Sequence, residues 1–330
     1  MVEKILILPI LGGFFISLFS LPFWIKRAKR ANLVGRDIHK LDKREVAEAG
    51  GISVLIGFVL GVLSYIAIRT FILNYTETTI EIFALLCTIL IVGFIGFIDD
   101  VVGWKIGLGK KTRILLLIFA AVPLMVINAG QSMMIGVELG LFYPLLFIPL
   151  GIVGAAATFN FIAGYNGLET SQGIIILSAL ALVTGLKGNS WLSLICFIMV
   201  ACLIAFYLFN KWPARVFPGD VLTYSVGALI AIIAILGNVE KIAVFFFIPY
   251  ILETILKVRG GLKKESFGKL EEDGSLSLRY SKFYGLEHIA IYLLKKYNEK
   301  ATEINVVRLI NLFQLGIIIL GLFLFKGGLF

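Results

Sequence analysis

Long apolar stretches separated by short polar segments run through the whole chain. Each stretch is long enough to cross the roughly 30 Å of hydrocarbon in a lipid bilayer as an α-helix. The pattern therefore predicts an all-α polytopic membrane protein in which residues 1–330 form a single membrane domain. About ten transmembrane helices are expected, at residues 4–25, 50–73, 80–98, 112–128, 141–159, 171–187, 190–209, 220–236, 240–257 and 306–325.

Basic residues give this arrangement an orientation. Of the 30 lysine and arginine residues, 25 lie in four segments, at 26–49, 99–113, 210–219 and 257–308. Positive residues collect in the cytoplasmic loops of membrane proteins. These segments are therefore predicted to be cytoplasmic, and ten spans then place both termini outside. The host would be a cell membrane or an ER-type membrane.

One sizeable cytoplasmic excursion is predicted, at about residues 258–305. Within it, Asp273-Gly274 stands between two short alternating runs, which is typical of a β-hairpin turn. Residues 284–297 carry apolar side chains at helical spacing. This last pattern is compatible with a helix lying flat on the membrane surface.

Composition excludes an ordinary soluble domain, because 59% of the residues are hydrophobic, only 15% are charged and the mean hydropathy is +0.97. The net charge of +9 follows the predicted topology, so we expect no nucleic-acid partner. Neither the cysteines nor the histidines show metal-ligand spacing. We expect Cys87, Cys196 and Cys202 to be buried free thiols and His39 and His288 to lie at the surface.

Asp99 and Asp100 form the most informative polar feature, because they end an apolar stretch. Charges beside hydrocarbon are costly, and paired carboxylates can hold a divalent metal or handle a proton near phosphate groups. An ordinary solvated helix end is the alternative. Lys105, Lys110, Lys111 and Arg113 follow shortly afterwards, and basic residues this close to the carboxylates favour a site for metal and phosphate together.

Three other predicted cytoplasmic edges carry polar, proline-rich or glycine-rich insertions. They contain Glu48 before Gly50-Gly51, the segment AAATFNFIAGYNGLETSQG at 155–173, and NKWPARVFPGD at 210–220. Polar, non-helical backbone at membrane depth persists only where it is buried in protein or lines a wet cavity. For Asp220 an N-cap and for Phe217 simple packing are the structural alternatives. Together these edges indicate a metal-dependent reaction on a phosphate-bearing substrate at the cytoplasmic interface.

The motifs FIDDV, NFIAGYNGLETSQG and NKWPARVFPGD, in that order, resemble those of the polyprenyl-phosphate N-acetylhexosamine-1-phosphate transferases. The segment AGYNGLE is closest to the eukaryotic and archaeal branch. The resemblance implies ten helices with a cytoplasmic-facing catalytic groove. It also implies transfer of GlcNAc-1-phosphate from UDP-GlcNAc to a polyprenyl (dolichyl-type) phosphate, with release of UMP. This is the first step of a lipid-linked glycan pathway such as N-glycosylation, and it uses Mg²⁺, with Mn²⁺ as an alternative.

Roles for individual residues come from the same resemblance. Asn160 and Asp220 match the metal ligands, and Asp99 and Asp100 match the catalytic acidic pair. Either Lys110 or Lys111 matches the phosphate-contacting lysine. The expected donor contacts are Phe217 stacked on uracil, Gly164 on the other face of the ring, Asn166 and the Ile38 backbone bonded to the base, and Glu48 on the ribose.

Several alternatives stay open at this point. The sequence does not decide whether one of Asp99 and Asp100 is a base or whether both organise lysines, water and the lipid phosphate. The donor sugar could be another UDP-N-acetylhexosamine. Where the family has a cluster of arginine and histidine in the last cytoplasmic loop, this chain has Lys257, Arg259, Lys263 and Lys264. A homodimer is compatible with the pattern. A membrane transporter is the rival class, but it is disfavoured because the chain shows no internal repeat.

Overall fold

The structure, a computed structural model, describes residues 2–130, 133–134 and 137–325. Helices account for most of this part of the chain. They are α1 (Val2–Ile5), α2 (Ile7–Arg30), α3 (Gly51–Phe71), α4 (Thr79–Ile106), α5 (Lys110–Ala120), α6 (Val122–Val126), α7 (Ile148–Phe159), α8 (Leu168–Leu186), α9 (Ser190–Asn210), α10 (Gly219–Gly237), α11 (Glu240–Phe246), α12 (Ile248–Arg259), α13 (Leu286–Lys296) and α14 (Glu303–Leu324). A π-helical segment, Tyr143–Phe147, precedes α7, and a 3-10 turn, Asn160–Ile162, follows it.

Short antiparallel strand pairs complete the described secondary structure. They are β1 (Val34–Arg36) with β2 (Glu45–Ala47), β3 (Met133–Met134) with β4 (Val137–Glu138), and β5 (Lys269–Leu270) with β6 (Leu276–Ser277). The first pair matters most for the site. It joins α2 to α3 and continues, through a parallel bridge between Ala47 and Val216, onto the segment that precedes α10.

Within the described residues, eight helical segments are long and apolar enough to cross a membrane. They are Ile7–Arg30, Gly51–Phe71, Thr79–Val102, Tyr143–Ile162, Leu168–Leu186, Ser190–Asn210, Gly219–Gly237 and Glu303–Leu324. This confirms the predicted class, an all-α polytopic membrane protein.

The other two predicted spans, 112–128 and 240–257, are each broken into a pair of short helices. The first is divided at Ala121 between α5 and α6, and the second at Phe247 between α11 and α12. Pro123 and Pro249 stand in the first turn after each break. Proline lacks an N–H group and clashes with the preceding turn, so it favours a break just before it and suits the first turn of the helix that follows. Both segments are therefore apolar over the predicted length, but the prediction that each is one continuous helix is wrong.

Helix α10 is the centre of the bundle. Every residue from Val221 to Ile235 is buried, and α10 packs against α3, α4, α7 and α8. A helix that is hydrophobic on all sides belongs inside a protein or a membrane bundle. Because α10 is fixed on every side, its N-terminus is a rigid platform for whatever lies there.

Glycines let the backbones of α10 and its neighbours approach closely. A Cβ atom on Gly96 of α4 would lie 2.6 Å from the carbonyl oxygen of Asp220. A Cβ atom on Gly227 of α10 would lie 2.5 Å from the carbonyl oxygen of Ala155. Small residues at helix crossings serve this purpose in membrane proteins, where lipid offers no hydrophobic drive for association.

The predicted cytoplasmic excursion contains both expected elements. Strands β5 and β6 form a hairpin whose turn contains Asp273 and Gly274, and α13 matches the helix predicted at 284–297. However, the apolar residues Leu286, Ala290 and Ile291 are buried, and α13 packs against α12 and α14. This face of α13 therefore covers protein and not a membrane surface.

Three expectations about single residues are wrong. Cys196 and Cys202 are buried as predicted, but Cys87 is exposed on α4. His39 and His288 are buried, not at the surface. The His39 ring packs on Tyr165, with 4.6 Å between ring centroids, and burial lowers the pKa of His39 to about 4. His288 accepts a hydrogen bond from the backbone N–H of Tyr284 through Nδ1.

The crossing of α10 and α7 gives a test of this packing. Gly227→Ala should lower the free energy of unfolding of the detergent-solubilised protein by about 1–3 kcal/mol, and with it the melting temperature, because the new methyl group would overlap Ala155 and Ala156. Gly12→Ala on α2 is the matched control, since a Cβ atom there meets nothing within 4 Å. Equal melting temperatures for the two variants would contradict the close crossing.

Candidate active site

The candidate site lies where α4 ends beside the start of α10. The carboxylate of Asp100 accepts hydrogen bonds from the backbone N–H groups of Asp220 (2.6 Å) and Val221 (3.0 Å). It therefore satisfies donors that a helix N-terminus leaves without partners, and it meets the positive end of the helix dipole. Gly219 has a φ of +71°, and a side chain there would collide with the Asp100 carboxylate. Thus glycine is required at this turn.

Asp99 belongs to a different set of contacts. It is buried, and its carboxylate pairs with the guanidinium of Arg113 on α5, with Nε 2.7 Å from Oδ2 and Nη2 3.1 Å from Oδ1. The backbone N–H of Leu108 donates to the same carboxylate at 3.0 Å. Two neighbouring aspartates thus have separate roles: Asp100 holds α10, and Asp99 holds α5.

Arg113 is the cation that the structure brings to the acidic pair. Its Nη1 atom lies 3.8 Å from the carboxylate of Asp220 and 3.3 Å from the hydroxyl of Tyr224. Arg113 stood among the basic residues noted after the acidic pair, but the phosphate contact was assigned to Lys110 or Lys111. These two lysines lie exposed on the first turn of α5 and line neither cavity described below. Arg113 is three residues after Lys110 and lies on the same side of α5, one turn further along. The spacing in the sequence therefore does not tell which of the two reaches the aspartates.

Asp220 and Asn160 come together as predicted, although they start from different helices. Asn160 ends α7 and Asp220 lies in the first turn of α10. The Asn160 side chain donates to Asp220 Oδ1 at 2.9 Å. It is the amide nitrogen of Asn160 that meets the carboxylate. The residue pair also contains an amide oxygen and a carboxylate, which are the ligand types that hard divalent cations prefer.

The predicted donor residues gather around a first cavity of about 390 Å³. Its walls contain Ile38, Glu48, Asp100, Asn160, Gly164, Asn166, Phe217 and Asp220, together with Asp37, Glu169 and Phe267. All the residues predicted to contact the donor or the metal therefore line one space, although three separate parts of the chain supply them: the connection from α2 to α3, the connection from α7 to α8, and the start of α10.

The loop between α7 and α8 is held by a buried carboxylate. The backbone N–H of Gly164 donates to Glu169 at 2.7 Å, and Gly164 has a φ of +141°, which side chains rarely allow. The ring of Phe267 lies directly against the Cα atom of Gly164. Any flat ring that stacked on Gly164 would therefore need the space that the Phe267 ring occupies.

Phe217 and Glu48 are held by the β1–β2 pair. The backbone N–H of Phe217 donates to Ala47, and its carbonyl oxygen accepts from Gly50, at 2.8 and 2.9 Å. Glu48 is half-buried beside Gly35. Burial, with a smaller contribution from the Asp220 carboxylate, raises the pKa of Glu48 to about 7. This carboxyl group can therefore exchange a proton near neutral pH.

A buried polar cluster supports the wall of the first cavity, and three of its members, Asp37, Lys40 and Glu303, were not predicted from the sequence. Asp37 accepts from the Asn166 side chain at 2.9 Å, and Glu303 accepts from the Asn166 backbone at 2.7 Å. The ammonium group of Lys40 pairs with Glu303 and lies 3.4 Å from Asp37. Asp37, His39 and Glu303 are close enough to hold a metal ion, but the ammonium group of Lys40 already lies against both carboxylates.

A second cavity, of about 850 Å³, opens on the other side of the aspartates. Its walls contain Trp24, Arg27, Asn32, Arg36, Glu48, Asp99, Asp100, Val101, Arg113 and Asp220. Arg36, Glu48, Asp100 and Asp220 line both cavities. Two compartments therefore meet at the carboxylates, and the second contains three arginines.

Comparison with known proteins places these features in context. Residues 82–238 match glycosyl transferase family 4. A Saccharolobus solfataricus protein, provisionally named a UDP-N-acetylglucosamine–dolichyl-phosphate N-acetylglucosaminephosphotransferase, is 37% identical over 82% of this chain and 83% of its own length. A Sulfolobus acidocaldarius protein with the same provisional name is 32% identical over 88% of both chains. The phospho-N-acetylmuramoyl-pentapeptide-transferase of Streptococcus thermophilus is 30% identical over 74% of this chain and 75% of its own length.

The two aspartates should differ in their effect on stability. Asp100→Asn turns an amide N–H₂ group towards a backbone donor and should cost about 1–3 kcal/mol of unfolding free energy. Asp99→Asn should cost less, because its partner Arg113 is one-third exposed and can take up water. Thermal melting of both variants in detergent checks this order. A larger loss for Asp99→Asn would mean that Asp100 does not hold α10.

Proposed function

The chain belongs to glycosyl transferase family 4, and from that membership we propose that it transfers GlcNAc-1-phosphate from UDP-GlcNAc to a dolichyl-type polyprenyl phosphate, releasing UMP. The names of the two archaeal relatives support this choice of donor and acceptor. The product would be a lipid-linked pyrophosphoryl sugar, as in the first step of N-glycosylation. A phosphotransfer between two bulky substrates needs two binding spaces with one shared boundary.

The observation that carries the proposal is the junction of the two cavities at Asp100 and Asp220. The first cavity contains the aromatic, amide and carboxylate side chains suited to a nucleotide. The second contains arginines and begins at the end of α2, a membrane-spanning helix, so a lipid phosphate could enter it from the bilayer. Their shared wall is then the place where the two phosphate groups would meet.

Within the first cavity, Phe217 would stack on uracil, Asn166 and the backbone of Ile38 would bond to its edge, and Glu48 would accept a ribose hydroxyl. Gly164 would approach the other face of the base, where Phe267 now lies. This arrangement places the diphosphate at Asn160 and Asp220. The distance between base and diphosphate is then fixed by two short segments, one before α8 and one before α10.

Asn160 and Asp220 fit a bound Mg²⁺ ion, because they place an amide and a carboxylate side by side at the cavity junction. Mg²⁺ usually binds to one or two carboxylates and completes its shell with water and substrate phosphates. When bound, it would offset the charge of the diphosphate and polarise the bond to be broken. Mn²⁺ accepts the same donors.

In the second cavity, Arg113 is placed to hold the acceptor phosphate. It is already oriented by Asp99 and lies between Asp99 and Asp220, and a guanidinium group binds phosphate through paired N–H donors. Lys110 and Lys111 start the same helix, and their long side chains could extend towards an arriving phosphate. These lysines would act as attracting charges, whereas Arg113 would fix the position of the acceptor.

The reaction itself requires little proton transfer. An oxygen of the lipid phosphate attacks the β-phosphorus of the donor, the bond from that phosphorus to the bridging oxygen breaks, and UMP leaves with the bridging oxygen. A phosphate monoester has a second pKa of about 6, so the attacking oxygen is largely ionised at neutral pH. Both oxygens of Asp100 already accept N–H groups. We therefore assign positioning roles to Asp99 and Asp100, and neither needs to act as a base.

The proposed site faces the cytoplasm in a cell or ER-type membrane, with both termini outside. The segments around the site, including 26–49 and 99–113, are those that contain most of the lysine and arginine residues. UDP-sugars are cytoplasmic substrates in this topology. The basic loops would also attract the anionic donor and acceptor.

An assay with purified protein tests the function. The protein would be incubated with Mg²⁺, polyprenyl phosphates of different length and saturation, and UDP-GlcNAc carrying ³²P at the β-phosphate. The label should move into the lipid, with one UMP released for each lipid product. Release of UDP, with the label left in water, would mean transfer of the sugar alone and would overturn the proposal. UDP-GalNAc as a parallel donor checks the sugar.

Asp220→Ala should abolish turnover, because it removes a carboxylate at the junction of the two cavities. Raising the Mg²⁺ concentration should not restore activity, and the melting temperature should stay close to that of the wild type. Asp273→Ala, in the exposed hairpin turn, is a control that removes the same charge elsewhere. Undiminished turnover in folded Asp220→Ala would exclude it as a metal ligand.

Phe217→Ala should raise KM for UDP-GlcNAc while KM for the lipid stays nearly constant. Lost stacking on a base costs about 1–3 kcal/mol, or roughly 5- to 150-fold in affinity. Trp212→Ala is the matched control, because this exposed aromatic residue lies on the same segment but is not part of the wall of the first cavity. An unchanged donor KM with a lowered melting temperature would assign Phe217 to packing alone.

A further inference from the structure

Asn166 is held unusually firmly for a residue on a cavity wall. Its backbone N–H donates to Glu303 at 2.7 Å, and its side-chain nitrogen donates to Asp37 at 2.9 Å. All three residues are more than nine-tenths buried. The last transmembrane helix therefore holds the backbone of Asn166, and the loop after β1 holds its side-chain amide, which lies on the wall of the first cavity.

The partner of the amide decides which way it points. The ammonium group of Lys40 lies 3.4 Å from Asp37, and a carboxylate paired with an ammonium group accepts hydrogen bonds and donates none. The nitrogen of Asn166 must therefore face Asp37, and its oxygen must face away. Among the residues that the structure describes, that oxygen has no hydrogen-bond partner, so it is available to a ligand in the cavity.

We propose that Asp37 is a specificity-determining residue that locks the amide of Asn166 in the orientation that reads uracil and rejects cytosine. The proposal rests on the proposed function, since it takes a uridine nucleotide as the donor. Asp37 acts through Asn166 and is thus a positioning residue. It deepens the assignment of the first cavity by explaining which base it selects.

The chemistry of the two bases gives the lock its effect. Uracil presents an N3–H donor between two carbonyl oxygens, whereas cytosine presents N3 as an acceptor beside an amino group. In the locked orientation the Asn166 oxygen accepts from N3–H of uracil, and the second hydrogen of its amide nitrogen is free for a carbonyl oxygen. To bind cytosine, the amide would have to turn over. Its oxygen would then lie against the Asp37 carboxylate, and two acceptors without a hydrogen between them repel.

The variant Asp37→Asn tests the lock. An asparagine of the same shape can either donate or accept, so it would allow both orientations of Asn166. The dissociation constants of UMP and CMP would be measured by calorimetry on the purified protein. The wild type should prefer UMP. This preference should fall about tenfold or more in Asp37→Asn, because the variant can donate to the turned-over amide of Asn166 and so removes the unpaired contact that disfavours CMP.

Glu303→Gln is the matched control. Glu303 holds the backbone of Asn166 but not its side-chain amide, so this variant should weaken UMP and CMP by similar factors and leave their ratio unchanged. A fall in the ratio as large as that of Asp37→Asn would overturn the orientation argument, because a general loosening of the loop would then explain both variants.

A measurement on the wild type keeps the test decisive if Asp37→Asn fails to fold. UMP methylated at N3 lacks the hydrogen that the Asn166 oxygen would accept, and it should bind about tenfold more weakly than UMP. Equal binding of the two nucleotides would overturn the proposal. A wild-type protein that binds neither UMP nor CMP would count against the proposed function itself, whereas a preference for UMP that persists unchanged in Asp37→Asn would remove only the role of Asp37.

Discussion

The bond between the Asp100 carboxylate and the first N–H groups of α10 is the contact on which the site depends. A helix start leaves several N–H groups without partners, and at the edge of a bilayer water satisfies them poorly. Asp100 supplies the missing acceptor from another helix, at 2.6 and 3.0 Å. The contact therefore joins the end of α4 to the start of α10. Gly96 and Gly219 make it possible, because a side chain at either position would occupy the contact.

Two other side chains take their positions from this joint. Asp99 precedes Asp100 on α4 and so points towards α5, where Arg113 meets it. Asp220 donates a hydrogen bond from its backbone N–H to the Asp100 carboxylate, and its side chain lies beside Asn160. The acidic pair thus has one member that builds the joint and one that orients a cation. Two equivalent carboxylates would not explain why the two cavities meet on this wall and contain such different side chains.

Much of the fold and of the candidate site could be predicted from local patterns in the sequence. Apolar length revealed the membrane helices, the Asp273-Gly274 turn revealed the hairpin, and the motif order gathered residues that do line one cavity. Patterns within a window do not reveal partners far apart in the chain. Lys40 and Glu303 are 263 positions apart, and nothing near either residue indicates the other. Arg113 was given no role for a different reason: it lies on the same side of α5 as Lys110, and only the packing of α5 against α4 shows which turn of the helix reaches Asp99.

The charges of the site also explain why its cations must be placed with care. Glu48, Asp99, Asp100 and Asp220 line the region where a diphosphate and a lipid phosphate would meet, and like charges brought together at low dielectric repel strongly. Asp99 is paired with Arg113, and Asp100 faces the positive end of α10. The Asp220 carboxylate lies 3.8 Å from the guanidinium of Arg113, further than Asp99 does, and accepts from the amide N–H₂ group of Asn160. Its negative charge is therefore less fully offset than that of Asp99. That imbalance is what a divalent cation bound there would remove, and it would do so only when the phosphates arrive to complete its shell.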